Sequence, residues 1–187
     1  MKILYLHGYG SQFDPDSAKI KALKKIAEVA GPDLDYAAGQ ENVFETVLEF
    51  AGAGDYDLIV GTSMGGWLAS QACILLCVPF VALNPTVDPS QTLKKYIGKT
   101  VNYVGRACCI DKEAVASYSH FKTEGGCGHI LCEEGDEVLD ARSTIQYLRR
   151  FYGATLVPGG SHRFDSLEDH LDLLKYTAHI CSIIWDG

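Results

Sequence analysis

The chain has 187 residues, enough for one sizeable core and too few for two ordinary domains with separate cores, so a single domain over 1–187 is expected. With 47% apolar and 21% charged residues, the composition is that of a folded globular protein rather than a disordered or fibrous one. A net charge of −8 and a pI near 5.1 speak against a polyanionic partner, since phosphate backbones select basic surfaces, so no nucleic-acid partner is expected.

The N-terminus, Met1-Lys2-Ile3-Leu4-Tyr5-Leu6, turns polar at once and lacks the apolar stretch and cleavage site of a signal peptide. Its residues Lys2 to His7 read as a buried strand. The loop that follows, His7-Gly8-Tyr9-Gly10-Ser11, bends tightly at Gly8, and the Tyr9 N–H is a candidate oxyanion donor. Gly8-Tyr9-Gly10 also resembles the start of a dinucleotide fingerprint, but Phe13 stands where the third glycine belongs and no P-loop lysine pattern occurs, so no nucleotide cofactor is expected. His7 itself reads as a structural hydrogen bonder beneath the loop. A helix is expected next, capped by Asp14, with Pro15 in its first turn, an apolar stripe of Ile20, Leu23, Ala27 and Ala30, and a stop at Gly31-Pro32. Leu34 to Ala37 reads as a weaker strand.

Tyr56 to Gly61 is a second clear strand, and it runs into Gly61-Thr62-Ser63-Met64-Gly65-Gly66 before a helix from Trp67 through Cys77. This is G-x-S-x-G between a strand and a helix. Glycine is needed where a sharp turn brings neighbouring elements into contact, and the turn pushes Ser63 out as a candidate nucleophile. The helix aims its positive end at Ser63, and the N–H of Met64 supplies one oxyanion donor. The bland alternative is a glycine-rich turn that only joins two elements. Cys73 and Cys77 lie one helical turn apart and read as core residues. The longest apolar run, Ala72 to Leu83, is broken by Pro79 and is too short to cross a bilayer, so no membrane partner is expected. Pro79 to Leu83 reads as a strand.

Pro85 to Gly126 is too long for an ordinary connection, and a cap insertion over the site, at about 86–126, is expected. Within it Leu93, Tyr96 and Ile97 follow Pro89 at helical spacing, and Asp111 is placed to cap a second short helix carrying Val115 and Tyr118. Lys94, Lys95, Lys99, Arg106 and Lys112 form a basic set that either steers an anionic substrate or is a solvated face. Gly128 to Cys132 is the next strand; its Cys127 and His129 share one face and Cys132 faces the other, so they do not converge on one ion and no metal is expected. Seven irregularly spaced cysteines point to reduced thiols and a cytoplasmic setting.

A serine nucleophile needs a base held by a carboxylate, in the order Ser, acid, His. Asp136 follows this last strand and a glycine and is the preferred acid; Glu134 and Asp140 compete, although Asp140 is well placed to cap a helix over Ala141 to Arg150. The strand Ala154 to Val157 then ends in Pro158-Gly159-Gly160-Ser161-His162, which puts His162 where the base belongs. Strands alternating with helices in this way give a doubly wound α/β sheet with ligands at the carboxyl ends of its strands.

With these residues placed, the chain resembles the small α/β-hydrolase esterases of the YqiA and YcfP type. The resemblance rests on Leu6-His7-Gly8 with Pro15, Ser17 and Lys19, on Gly61 to Gly66, on Asn84-Pro85, on Gly135 to Asp140, and on Gly160-Ser161-His162-Arg163-Phe164. It implies an α/β-hydrolase fold with helices on both faces of about six parallel strands, lacking the antiparallel start of larger hydrolases. It further implies a triad of Ser63, Asp136 and His162, and esterase or acyl thioesterase activity on a small-molecule acyl substrate without a cofactor. Acyl transfer on the same triad and a non-catalytic binding protein of this fold are the alternatives.

Overall fold

Apolar runs become strands here because each alternates between two cores. In β1 (Lys2–Leu6), Ile3 and Tyr5 pack on one face of the sheet while Leu4 and Leu6 pack on the other. The computed structural model describes residues 1–101 and 107–185, with side chains over 1–98 and 108–180. In chain order β1 is followed by α1 (Ala18–Leu23), β2 (Glu28–Ala30), α2 (Gln40–Ala51), β3 (Leu58–Thr62), α3 (Met64–Leu76), β4 (Phe80–Leu83) and α4 (Pro89–Thr92). Then come β5 (Gly98–Val101), β6 (Ala107–Ile110), α5 (Lys112–Ser117), β7 (Gly128–Glu133), α6 (Ala141–Leu148), β8 (Gly153–Val157) and α7 (Leu171–Trp185). Six strands form one parallel sheet in the order β2-β1-β3-β4-β7-β8. Trp67, Val43, Val47 and Leu148 cover one face, and Ile20, Leu23, Leu167 and Leu174 the other.

The strand order reverses between β1 and β3. Chain leaving β1 turns towards β2, chain leaving β3 turns towards β4, and the divergence opens a crevice at their carboxyl ends. This is where the site lies.

Two early elements depart from the sequence reading. The first helix begins at an N-cap of Ser17, whose Oγ accepts from Ile20 N, while the Asp14 carboxylate accepts from Asp16 N, ahead of the helix. It ends at Leu23, so Ala27 and Ala30 lie beyond it, and Glu28–Ala30 pairs as an edge strand with Lys2–Leu4. The expected strand over Leu34 to Ala37 is instead a loop and a single 3-10 turn, Tyr36–Ala38, capped by Asp35. Leu34 and Tyr36 are buried, but the Leu34 N–H goes to His7 and the Ala37 N–H to Asp35 rather than to a ladder.

The long insertion packs mainly against the α2–α3 face. Trp67 Nε1 donates to Ser119 O at 2.9 Å, Tyr118 OH donates to Tyr36 O at 2.6 Å, and Asp111 caps α5. Leu93 to Tyr96 forms a 3-10 turn, and the antiparallel hairpin β5–β6 had no sequence signal. Arg106 lies outside the described residues, as does the Lys99 side chain. Cys73 is buried, but Cys77 is exposed, because it ends α3 in the left-handed conformation at φ 52 and turns away from the core. Cys73, Cys77, Cys108, Cys109 and Cys132 are free, whereas Cys127 is disulfide-bonded, so the expectation of reduced thiols does not hold for Cys127. Among the described residues no helix is long and apolar enough to cross a membrane.

Candidate active site

Sterics force the turn at the end of β3. A Cβ on Gly61 would lie 2.0 Å from Gly65 O, and one on Gly65 would lie 1.9 Å from Leu6 O, so only glycine lets β3, α3 and β1 approach this closely. Between them Ser63 is held at φ 57, a left-handed conformation rare for a side-chain-bearing residue, and α3 starts at the next residue. The Met64 N–H, at the first helical position, has no intrahelical acceptor and faces the same end of the helix as Ser63.

The loop after β1 passes directly over the serine. Gly8 lies so close that an added Cβ would sit 3.2 Å from Ser63 Cβ and 3.7 Å from its Oγ. His7 shapes this loop from below: its Nδ1 donates to Gly8 O at 2.9 Å, and its Nε2 accepts from Leu34 N at 2.8 Å. These partners assign one neutral tautomer, and burial pushes the imidazole below its ordinary range. Tyr9 packs its ring on Tyr96 and sets its hydroxyl 3.5 Å from Cys108 Sγ, which is where the insertion borders the site.

Ser63, His162 and Asp136 meet across loops far apart in sequence. His162 Nε2 lies 3.0 Å from Ser63 Oγ, and its Nδ1 lies 2.8 and 2.9 Å from the two carboxylate oxygens of Asp136. The Asp136 side chain is 1% exposed and that of His162 17%. Asp136 Oδ1 also accepts from Val138 N and Leu139 N, at 2.8 and 2.9 Å, which locks the carboxylate in its turn. The competing carboxylates are occupied elsewhere. Asp140 caps α6 by accepting from Ser143 N, the bond that chiefly holds its carboxyl below the ordinary range, and Glu134 pairs with Arg142.

Sequence reasoning assigned no role to the groups that hold the histidine loop. Glu133, the last residue of β7, is fully buried and forms no ion pair among the described residues. Its Oε2 accepts from Ser161 N and Asp165 N at 2.8 and 2.9 Å, and its Oε1 from Ser166 N and Ser166 Oγ at 2.7 and 2.6 Å. Burial pushes this carboxyl up, but the Ser166 hydroxyl and the three N–H donors together outweigh it and hold the group below its usual range. Asn84 takes the opposite polarity: its Nδ2 donates to Ser161 O and His162 O, and its Oδ1 accepts from Glu133 N. Glu137 Oε2 accepts from His162 N at 2.9 Å. A charged residue closing the apolar run Ile130-Leu131-Cys132 was the available signal for Glu133.

Lys19 spans the crevice, donating to Thr62 Oγ1 at 3.1 Å and to Arg163 O. Beside it a cavity of about 560 Å³ opens between Gly8, Lys19, Thr62, Ser63 and His162, a volume suited to a small molecule. No described residue of the 86–126 insertion lines it. Among the described residues no group of His, Cys, Asp and Glu side chains is arranged to hold a metal ion.

A parallel sheet in this order, with an elbow after β3 and loops gathered at its carboxyl edge, is an α/β-hydrolase fold, and solved structures share it. Est1E from Butyrivibrio proteoclasticus is similar at TM-score 0.65 and 15% identity, covering 99% of this chain and 87% of that one. The esterase domain of a Rhodothermus marinus protein gives 0.64 and 15%, covering 95% and 85%. FphF, a fluorophosphonate-binding serine hydrolase of Staphylococcus aureus, gives 0.63 and 17%, covering 95% and 83%. The chain itself belongs to the uncharacterised protein family UPF0227, whose profile matches residues 2–178. UPF0227 proteins of Pectobacterium carotovorum subsp. carotovorum (strain PC1) and Vibrio parahaemolyticus (serotype O3:K6) are each 26% identical to it. Each match covers 92% of this chain, and 96% and 97% of the respective relative.

Proposed function

We propose that this protein is a serine hydrolase that cleaves carboxylic esters or thioesters through an acyl-enzyme, with Ser63 as nucleophile, His162 as base and Asp136 as the acid that orients it. The observation that carries this reading is the continuous line Ser63 Oγ, His162 Nε2, His162 Nδ1, Asp136, with every link within hydrogen-bond distance. His162 takes the hydroxyl proton on Nε2 as Oγ attacks the acyl carbon, and buried Asp136 stabilises the imidazolium that forms. The oxyanion is held by the N–H groups of Met64 and Tyr9, the first aligned with α3 and the second carried by the loop over Ser63. Collapse breaks the bond to the alcohol or thiol, which leaves with the proton from His162. Water, deprotonated by the same nitrogen, then attacks the acyl carbon and releases the acid. Likeness to Est1E and to the fluorophosphonate-binding FphF supports the reading at the level of the fold.

The test is labelling with a fluorophosphonate followed by turnover of acyl esters and thioesters of increasing chain length. Covalent modification at Ser63, lost in Ser63→Ala and His162→Ala, is the expected result. Labelling that survives Ser63→Ala defeats the assignment.

A further inference from the structure

The cavity beside Ser63 contains a cation that the fold leaves uncompensated. Half-buried Lys19 gives two of its three ammonium protons to neutral acceptors, Thr62 Oγ1 and Arg163 O, and among the described residues no carboxylate pairs with it. A charge withdrawn part-way from water and bonded only to neutral oxygens keeps its attraction for an anion, and the cavity wall makes that attraction stronger than it would be in bulk solvent. Thr62 directly precedes the nucleophile, and Tyr5 OH shares its Oγ1 at 3.1 Å, so the ammonium belongs to one polar corner with the end of β3. Ala22, Phe164 and Leu167, all buried, supply an apolar wall within the same lining.

The carboxylates nearby narrow the class of anion. Asp14, Asp165 and Glu168 also line the cavity; Glu168 is paired with Lys25, but Asp14 and Asp165 form no ion pair among the described residues. Even with exposed Arg163 as a second cation in the lining, a dianionic phosphate would meet the repulsion of these carboxylates, whereas one carboxylate balances the Lys19 ammonium. Lys94 and Lys95 of the insertion do not compete for this role. Lys94 donates to Gln91 Oε1, Lys95 lies over the Tyr96 ring, and neither lines the cavity.

We infer that the cavity is a binding site for esters carrying a single carboxylate, and that Lys19 is the specificity-determining residue that recognises it. This rests on the hydrolase reading of Ser63 and adds a substrate class to it: half-esters of short dicarboxylic acids, or esters of small hydroxy acids.

One neutral reference tests both sources of the carboxylate. Ethyl butyrate is compared with monoethyl succinate, which replaces the terminal methyl of the acyl half by a carboxylate, and with the butyryl ester of glycolate, which does the same on the alcohol half. Turnover is followed by titrating released acid, and the readout is the ratio of kcat/KM between charged and neutral ester within each enzyme. Any general loss from freeing Thr62 and Arg163 cancels in that ratio. The wild-type protein should favour at least one charged ester by about tenfold, the scale of one charge-assisted contact, mostly through KM. Lys19→Met should bring the ratio to about one or below, and Lys19→Arg should restore much of it. Cleavage of ethyl butyrate with no gain from either carboxylate overturns the inference and leaves the hydrolase standing. A preference that survives in Lys19→Met overturns the role of Lys19. If none of the three esters is cleaved, labelling decides between the two readings: a fluorophosphonate adduct on Ser63 sinks the carboxylate site alone, and an unlabelled Ser63 sinks the hydrolase with it.

Discussion

Replacing Glu133 by glutamine tests whether the histidine loop depends on one buried carboxylate. The least damaging placement of the amide puts its NH2 towards Ser166, whose hydroxyl can turn to accept, and keeps the carbonyl facing Ser161 N and Asp165 N. Ser166 N, which donates to Oε1 at 2.7 Å in the wild-type protein, then has no acceptor. An orphaned buried N–H costs about 1–3 kcal/mol, and the surviving bonds each lose about 1 kcal/mol on becoming neutral; removing a buried charge offsets part of this. A net loss of about 3 kcal/mol is expected in denaturant unfolding. The loop would also relax around His162, and a displacement of about 1 Å between reacting groups costs about 100-fold in rate, so kcat should fall by that order while KM changes little.

Acid pH supplies a second readout. The folded-state carboxyl of Glu133 is held below its unfolded value, so its contribution to stability is complete above that unfolded value, about 4.3 for glutamate, and is lost as pH falls through the folded one. The stability gap between the wild-type protein and Glu133→Gln should therefore narrow on acidification below about pH 4. Wild-type kcat in Glu133→Gln would refute the positioning argument, and a stability gap that does not change with pH would refute the electrostatic one.

Other perturbations separate the remaining roles. Ser63→Ala should abolish ester turnover, a loss on the order of 10⁶ in kcat, while the unfolding midpoint stays near wild type; purified variant and denaturation curves decide this. Asp136→Asn should lower kcat by about 10⁴, because the amide no longer stabilises the imidazolium, whereas Asp140→Asn should change turnover little, since asparagine also caps helices. The reverse ranking at equal stability would move the acid to Asp140. Gly65→Ala should fail to fold or lose several kcal/mol, because its Cβ would lie 1.9 Å from Leu6 O with no side chain free to move away. A soluble variant of wild-type stability would contradict the steric account of the elbow.

What the sequence determined by itself was whatever depends on neighbours along the chain. Glycine at 61 and 65 around Ser63 was legible because the clash it avoids lies within one strand-turn-helix unit, and Asp140 and Asp111 were legible as caps because a cap bonds three residues on. The core strands could be read from runs that alternate between two apolar faces. Glu28–Ala30 could not, since one exposed and two half-buried residues become a strand only where β1 offers an edge, and Leu34 and Tyr36 alternate without a ladder because their loop is tied to His7 and Asp35.

Only the tertiary structure decided which carboxylate faces His162, because that contact joins residues 26 apart through the packing of β7 on β8. The same holds for Glu133, whose donors lie 28 to 33 residues away. It also holds for the place of the cavity. Sequence left the lysines of the insertion open between steering a substrate and forming a solvated face; the described part of that segment is drawn onto α3 by Trp67, and the crevice opens where the chain diverges after β1 and β3. Local sterics and periodicity are properties of short windows, whereas a site at a strand-order reversal is a property of how distant windows are packed.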